Sequence, residues 1–88
     1  MSETLKARVR TRICFWDAGW RVADASDLGE HVRDVEVSLE IQGDEKQGYF
    51  LVMSPERGFT ADDWYATREE ALRAAYESFG VPVDAWRP

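Results

Sequence analysis

The sequence predicts an α+β domain, an antiparallel β-sheet of about four strands arranged as hairpins or a meander and closed by one C-terminal helix. Three observations carry this expectation. Residues 6–16 and 33–42 each alternate apolar and polar side chains with period two, the pattern of half-buried strands. Residues 67–79 repeat apolar side chains at helical spacing behind a capping signal. The strands precede the helix without strand–helix–strand alternation, which excludes a parallel α/β arrangement.

In the first strand Ala7, Val9, Thr11, Ile13 and Phe15 share one face, while Lys6, Arg8, Arg10, Arg12, Cys14 and Trp16 share the other. Asp17-Ala18-Gly19 breaks the alternation at a turn, and residues 19–23 return as a short second arm. A polar connection covers 24–31. In the next strand, 33–42, Val35, Val37, Leu39 and Ile41 oppose Asp34, Glu36, Ser38, Glu40 and Gln42. A polar turn bounded by Gly43 and Gly48 leads into a strand at 48–54, whose apolar run suits a central position contacted on both faces. Ser54-Pro55-Glu56-Arg57-Gly58 ends it. Residues 59–66 are ambiguous, with a short edge strand around Trp64 and Tyr65 as one reading.

The helix near 67–79 begins with Thr67 three residues before Glu70, the capping-box spacing, and Glu69 and Glu70 suit the positive end of the helix dipole. Leu72, Ala75, Tyr76 and Phe79 form the predicted docking stripe. Gly80 and Pro82 end the helix, and Val81, Val83 and Trp86 give the tail, 81–88, apolar area with which to dock.

Composition narrows the function. Eighty-eight residues make a single domain, 1–88, and four Trp, four Phe and three Tyr supply the large side chains that a small core needs. Cys14 is the only cysteine and His31 the only histidine. This rules out an internal disulfide and an ordinary Cys/His zinc site, and it fits a reducing compartment. No signal-peptide run or membrane-length apolar stretch is visible, so the expected location is the cytoplasm, with no membrane association. Arg outnumbers Lys nine to two, in keeping with a bacterial genome of high GC content.

Net charge is −6, yet residues 1–12 carry Lys6, Arg8, Arg10 and Arg12 against Glu3, a local +3 that leaves −9 for the remainder. Such an acidic body repels phosphate and disfavours general nucleic-acid binding. No Gly-rich phosphate loop, nucleophile elbow or calcium loop occurs, and the adjacent carboxylates Asp62 and Asp63 form no catalytic pair. The expectation is therefore no catalytic residue, no metal and no cofactor.

The candidate binding residues are Arg8, Arg10 and Arg12 with Trp16 and Trp20. The arginines recur every second residue and can clamp an anionic ligand; alternatively they face Asp34, Glu36 and Glu40 as a cross-strand ladder. Trp16 and Trp20 flank a turn, where they either contact a partner or stack on each other, with Trp86 as a further cover. Two functions follow from these features. One is a small acidic, non-enzymatic protein-interaction or regulatory module, on the scale of a neutralising immunity protein, that binds a protein partner or a second copy. The other is an anion or nucleic-acid binder working through the Arg/Trp face.

The segment Trp64-Tyr65-Ala66-Thr67-Arg68-Glu69-Glu70-Ala71-Leu72, followed by Phe79-Gly80-Val81 and Trp86, resembles the C-terminal part of a group of short bacterial α+β proteins. In that group an aromatic dipeptide precedes a capped T-x-E-E-A-L helix that ends in Phe-Gly-Val, with a Trp shortly after. The resemblance covers roughly residues 49–86. It implies a fold and a bacterial origin, and it brings no catalytic residue, because the group has no established activity.

Overall fold

The computed structural model describes residues 3–88, with side chains from Thr4 onward. Its elements run β1 (Glu3–Trp16), β2 (Gly19–Val22), β3 (Val32–Asp44), β4 (Gly48–Pro55), β5 (Ala61–Tyr65), α1 (Arg68–Phe79) and a short 3-10 turn at Val83–Ala85. The five strands form one antiparallel sheet in the order β2-β1-β3-β4-β5. The architecture is the expected α+β with one strand more than the four anticipated. The addition is β5, where Phe50 pairs with Trp64 and Val52 with Asp62.

The long β1–β3 ladder sets the long dimension of the molecule, whose extents are 44 × 26 × 19 Å. Its register is dictated by the two alternations. Ala7 opposes Leu39, Val9 opposes Val37 and Leu5 opposes Ile41, so through this stretch apolar residues of the two strands meet on the same face, while further along Val35 meets Thr11 and Ile13 meets Arg33. Leu51 and Met53 of β4 extend this face, being opposite Ile41 and Leu39. Ile13, Val37, Leu39, Ile41 and Leu51 are the largest side chains completely withdrawn from water.

The β3–β4 hairpin turns through 45–47. Asp44 Oδ1 accepts from the N–H groups of Lys46 (3.0 Å) and Gln47 (2.8 Å), and Gly48 follows with φ of 88°. A β-carbon on Gly48 would also lie 2.4 Å from the Trp64 indole, so both backbone and packing require glycine there.

Helix α1 closes the core face. Thr67 Oγ1 accepts from the Glu70 N–H at 3.2 Å, and Gly80, at φ of 73°, donates its N–H to Tyr76 O. The stripe that docks is Ala71, Ala75 and Phe79: Ala75 and Phe79 are as expected, Ala71 joins them, Leu72 is half-buried at the margin of the core and Tyr76 is exposed. Small residues at 71 and 75 let the helix backbone approach the sheet, and this closeness favours alanine over the bulkier Leu72 and Tyr76 at the contact. Of the three tail residues expected to dock, Val83 stays exposed. Val81 and Trp86 join the core, and Arg87 pairs with Lys6 at the free edge of β1 through two backbone hydrogen bonds of 2.6 and 2.8 Å. No helix among the described residues is long and apolar enough to cross a membrane.

Candidate functional site

With α1 and the tail on one face, the sheet presents its other face to solvent. The even-numbered residues of β1 and β3 project there, and so do Phe50 and Val52 of β4 and Asp62 and Trp64 of β5. The face has two halves, one charged and one aromatic.

The charged half joins β1 to β3. Lys6 lies opposite Glu40, Arg10 opposite Glu36 and Arg12 opposite Asp34, whereas Arg8 lies opposite Ser38. Arg8 and Arg10 lean to diagonal partners. Arg10 Nε is 3.4 Å from Asp34 Oδ1, its Nη1 is 3.4 Å from Glu56 Oε1, and its Nη2 donates to Asp34 O at 3.2 Å. Arg8 reaches Glu36 only at 3.9 Å, and Lys6 reaches Glu40 at 4.0 Å. Glu56 also accepts the Glu36 N–H at 2.8 Å, so this carboxylate completes the end of the β3–β4 ladder just beyond Pro55. Of the two readings of the comb, the charge ladder is what the geometry displays for Arg10. Pairs this exposed contribute about 0–1 kcal/mol each and act mainly on register.

Arg12 has a different task. Strands β2 and β3 both run antiparallel to β1 and flank it, so the 23–31 connection must cross β1. Arg12 donates to the backbone oxygens of Asp24 (3.3 Å) and Asp27, and Arg21 grips the Asp27 carboxylate with two bonds of 2.7 and 2.6 Å. Both arginines project from the solvent face, and together they tie the crossing connection to it. The Arg21 guanidinium, helped by the Asp24 N–H, holds the Asp27 carboxyl well below the usual carboxylate range.

The two tryptophans of the first hairpin are not brought together. Trp16 pairs with Gly19 and Trp20 with Phe15, so their side chains leave the sheet on opposite sides. Trp16 is 50% exposed and lies over Gly19. Trp20 turns to the core side, where its Nε1 donates to Phe59 O at 2.6 Å and its ring centroid is 6.4 Å from that of Phe79. It pins the 56–60 loop. Trp86, buried in the core, covers neither, and its Nε1 is a buried donor without a partner among the described residues.

The aromatic half was not singled out in the sequence. Phe50 (45% exposed) and Trp64 (54%) are cross-strand partners on the solvent face, next to Val52. The Trp64 Nε1 donates to Gln47 O at 3.0 Å, fixing the indole against the hairpin turn. Reading 49–53 as alternating would have revealed Phe50, since Tyr49, Leu51 and Met53 fill the core face and leave Phe50 to the other. A separate apolar set, half-buried Leu72 with exposed Tyr76, Pro82 and Val83, lines a groove between α1 and the tail.

Cys14 lies opposite Val32 on the solvent face, whereas His31 shares a hollow with Phe15, whose side chain belongs to the other face. The two do not form a dyad. Among the described residues no group of three His, Cys, Asp or Glu side chains is placed to hold a metal ion. Comparison of the chain with protein-family models, with curated proteins and with solved structures finds no match.

Proposed function

We propose that this chain is a non-enzymatic protein-interaction module that receives a protein partner on the solvent face of its sheet. The observation that carries the reading is the Phe50–Trp64 pair. Two large aromatic side chains, held by a β-ladder and a hydrogen bond, face solvent beside a stripe of mutually compensating charges. Rigid aromatics at the centre with a polar rim make the usual energetic plan of a protein-binding surface. The same compensation weakens the alternative of an anion binder, because Arg10 is engaged by two acids and Arg12 by backbone oxygens. The reading extends to a cytoplasmic bacterial protein with a regulatory or neutralising role. In its favour are the lone thiol, the nine-to-two Arg:Lys ratio and the acidic balance.

The test uses the purified chain as bait in an extract of its native cell. The expected outcome is a discrete stoichiometric complex that is lost with Phe50→Ser/Trp64→Ser and kept with Arg10→Ala. Absence of any stoichiometric partner, or capture indifferent to the aromatic substitutions, overturns the reading. Salt-sensitive capture of nucleic acid that depends on Arg8 and Arg10 would favour the anion-binding alternative.

A further inference from the structure

The edge of β1 is left unpaired over a short central stretch. Strand β2 pairs with β1 only from Ile13 to Trp16, and among the described residues the backbone of the tail pairs with it only at Lys6. Backbone direction alternates along a strand, and its phase is fixed at both ends of the gap. Lys6 exchanges two hydrogen bonds with Arg87 across this edge, and Arg12 O accepts from the Ala23 N–H. Arg8 and Arg10 therefore turn their N–H and C=O groups to the same edge, and among the described residues those groups have no partner. The edge is competent to pair, since segments of the chain already pair with it on either side. The opening covers residues 7–11, about 17 Å of strand.

Charge decides what fits. Residues whose backbone faces this edge carry their side chains on the solvent face, and in the gap these are Arg8 and Arg10. Arg8, with a side chain 76% exposed and its nearest carboxylate oxygen 3.9 Å away, is the less committed of the two. A second copy of β1 added in phase would set arginine or lysine opposite arginine, with paired Cα atoms only about 5.5 Å apart. An acidic segment would set carboxylates there instead. The position between them would face Val9, half-buried on the core side, and calls for an apolar residue.

We infer that β1 accepts an extended acidic segment of a partner protein by strand addition between Lys6 and Arg12, with acids facing Arg8 and Arg10 and an apolar residue facing Val9. This mode supplies affinity through main-chain hydrogen bonds and specificity through alternate side chains. It goes beyond docking on the Phe50–Trp64 face and stands or falls separately from it.

The probe is the pentapeptide acetyl-Thr-Glu-Val-Glu-Thr-amide, titrated into the full chain and followed by amide hydrogen exchange and chemical shifts. At ten times Kd the Arg8 and Arg10 amides are expected to exchange about tenfold more slowly. Lys6, already bonded to Arg87, serves as the unchanged reference. N-methylation of both probe glutamates should abolish the effect, because it removes the donors to the Arg8 and Arg10 carbonyls. Arg8→Glu/Arg10→Glu should transfer binding to the lysine version of the peptide; if the double variant does not fold, Arg8→Glu alone should abolish binding of the glutamate probe. Unchanged Arg8 and Arg10 exchange up to roughly 10 mM probe overturns the inference and leaves the arginines as guards against edge-to-edge aggregation. Binding that tolerates N-methylation, or that shifts only Phe50 and Trp64, overturns it as well.

Discussion

Replacing Leu39 by alanine empties the centre of the core face while leaving the backbone ladder unchanged. Leu39 is 1% exposed and sits on the middle strand, with Ala7 opposite on β1 and Met53 opposite on β4. Its two cross-strand neighbours are held by their own ladders, and the small Ala7 cannot reach into the space, so the cavity should collapse little. Truncations of this kind cost about 2–5 kcal/mol, and a rigid surround places this one near ~3 kcal/mol or above. For a chain of this length that corresponds to a fall in Tm of roughly 12–24 °C. Urea denaturation followed by circular dichroism is the assay, with the m-value expected to hold while the midpoint drops. Arg10→Ala is the companion measurement on the opposite face. It breaks contacts to Asp34 and Glu56, all of them exposed, and should cost less than about 1 kcal/mol. A Leu39→Ala cost below ~1 kcal/mol, or an Arg10→Ala cost above ~2 kcal/mol, would refute the division of the sheet into a face that stabilises and a face left for recognition.

Three further outcomes follow from named contacts. Thr67→Ala removes the acceptor for the Glu70 N–H and should cost about 1 kcal/mol in thermal unfolding; an unchanged Tm would mean that the cap is idle. Gly48→Ala places a β-carbon against the Trp64 indole at a backbone conformation that alanine resists. It should lower stability and alter the near-ultraviolet spectrum of Trp64, and a neutral result would contradict the packing described at the hairpin turn. Asp27 is held below the ordinary carboxylate range by Arg21, so its contribution is complete above the unfolded value near 3.9 and is lost as pH falls through the lower folded value. The stability advantage of the wild type over Asp27→Asn should therefore shrink below about pH 4, and parallel pH profiles would show that the connection is held by other means.

The parts of this fold that depend on local pattern are legible in the sequence. The alternations of 6–16 and 33–42 identify both the core face and the pairing of Arg10 with Asp34, but not its second acid, Glu56. The Thr67 and Gly80 signals bracket the helix to within a residue. What could not be read depends on partners far apart in the chain. Strand β5 is legible only as one reading around Trp64 and Tyr65, because Asp62-Asp63 stands where an apolar alternation would announce it, and it exists because β4 offers an edge. The aromatic half of the face arises when that pairing sets Trp64 beside Phe50. In the helix stripe Ala75 and Phe79 are legible, whereas hydropathy also selects Tyr76, which is exposed, and close approach to the sheet selects Ala71 instead. Trp20 looked like a surface residue beside a turn, and its bond to Phe59 O becomes visible only once the 56–60 loop is in place.

In the isolated chain the solvent face is open, and a neutral soluble paramagnetic agent reports on it through the indole N–H resonances. The expected result is strong relaxation at Trp16 and Trp64 and weak relaxation at Trp86. A Trp64 indole as protected as that of Trp86 would mean that the face is already covered, and would contradict its role as the surface that awaits a partner.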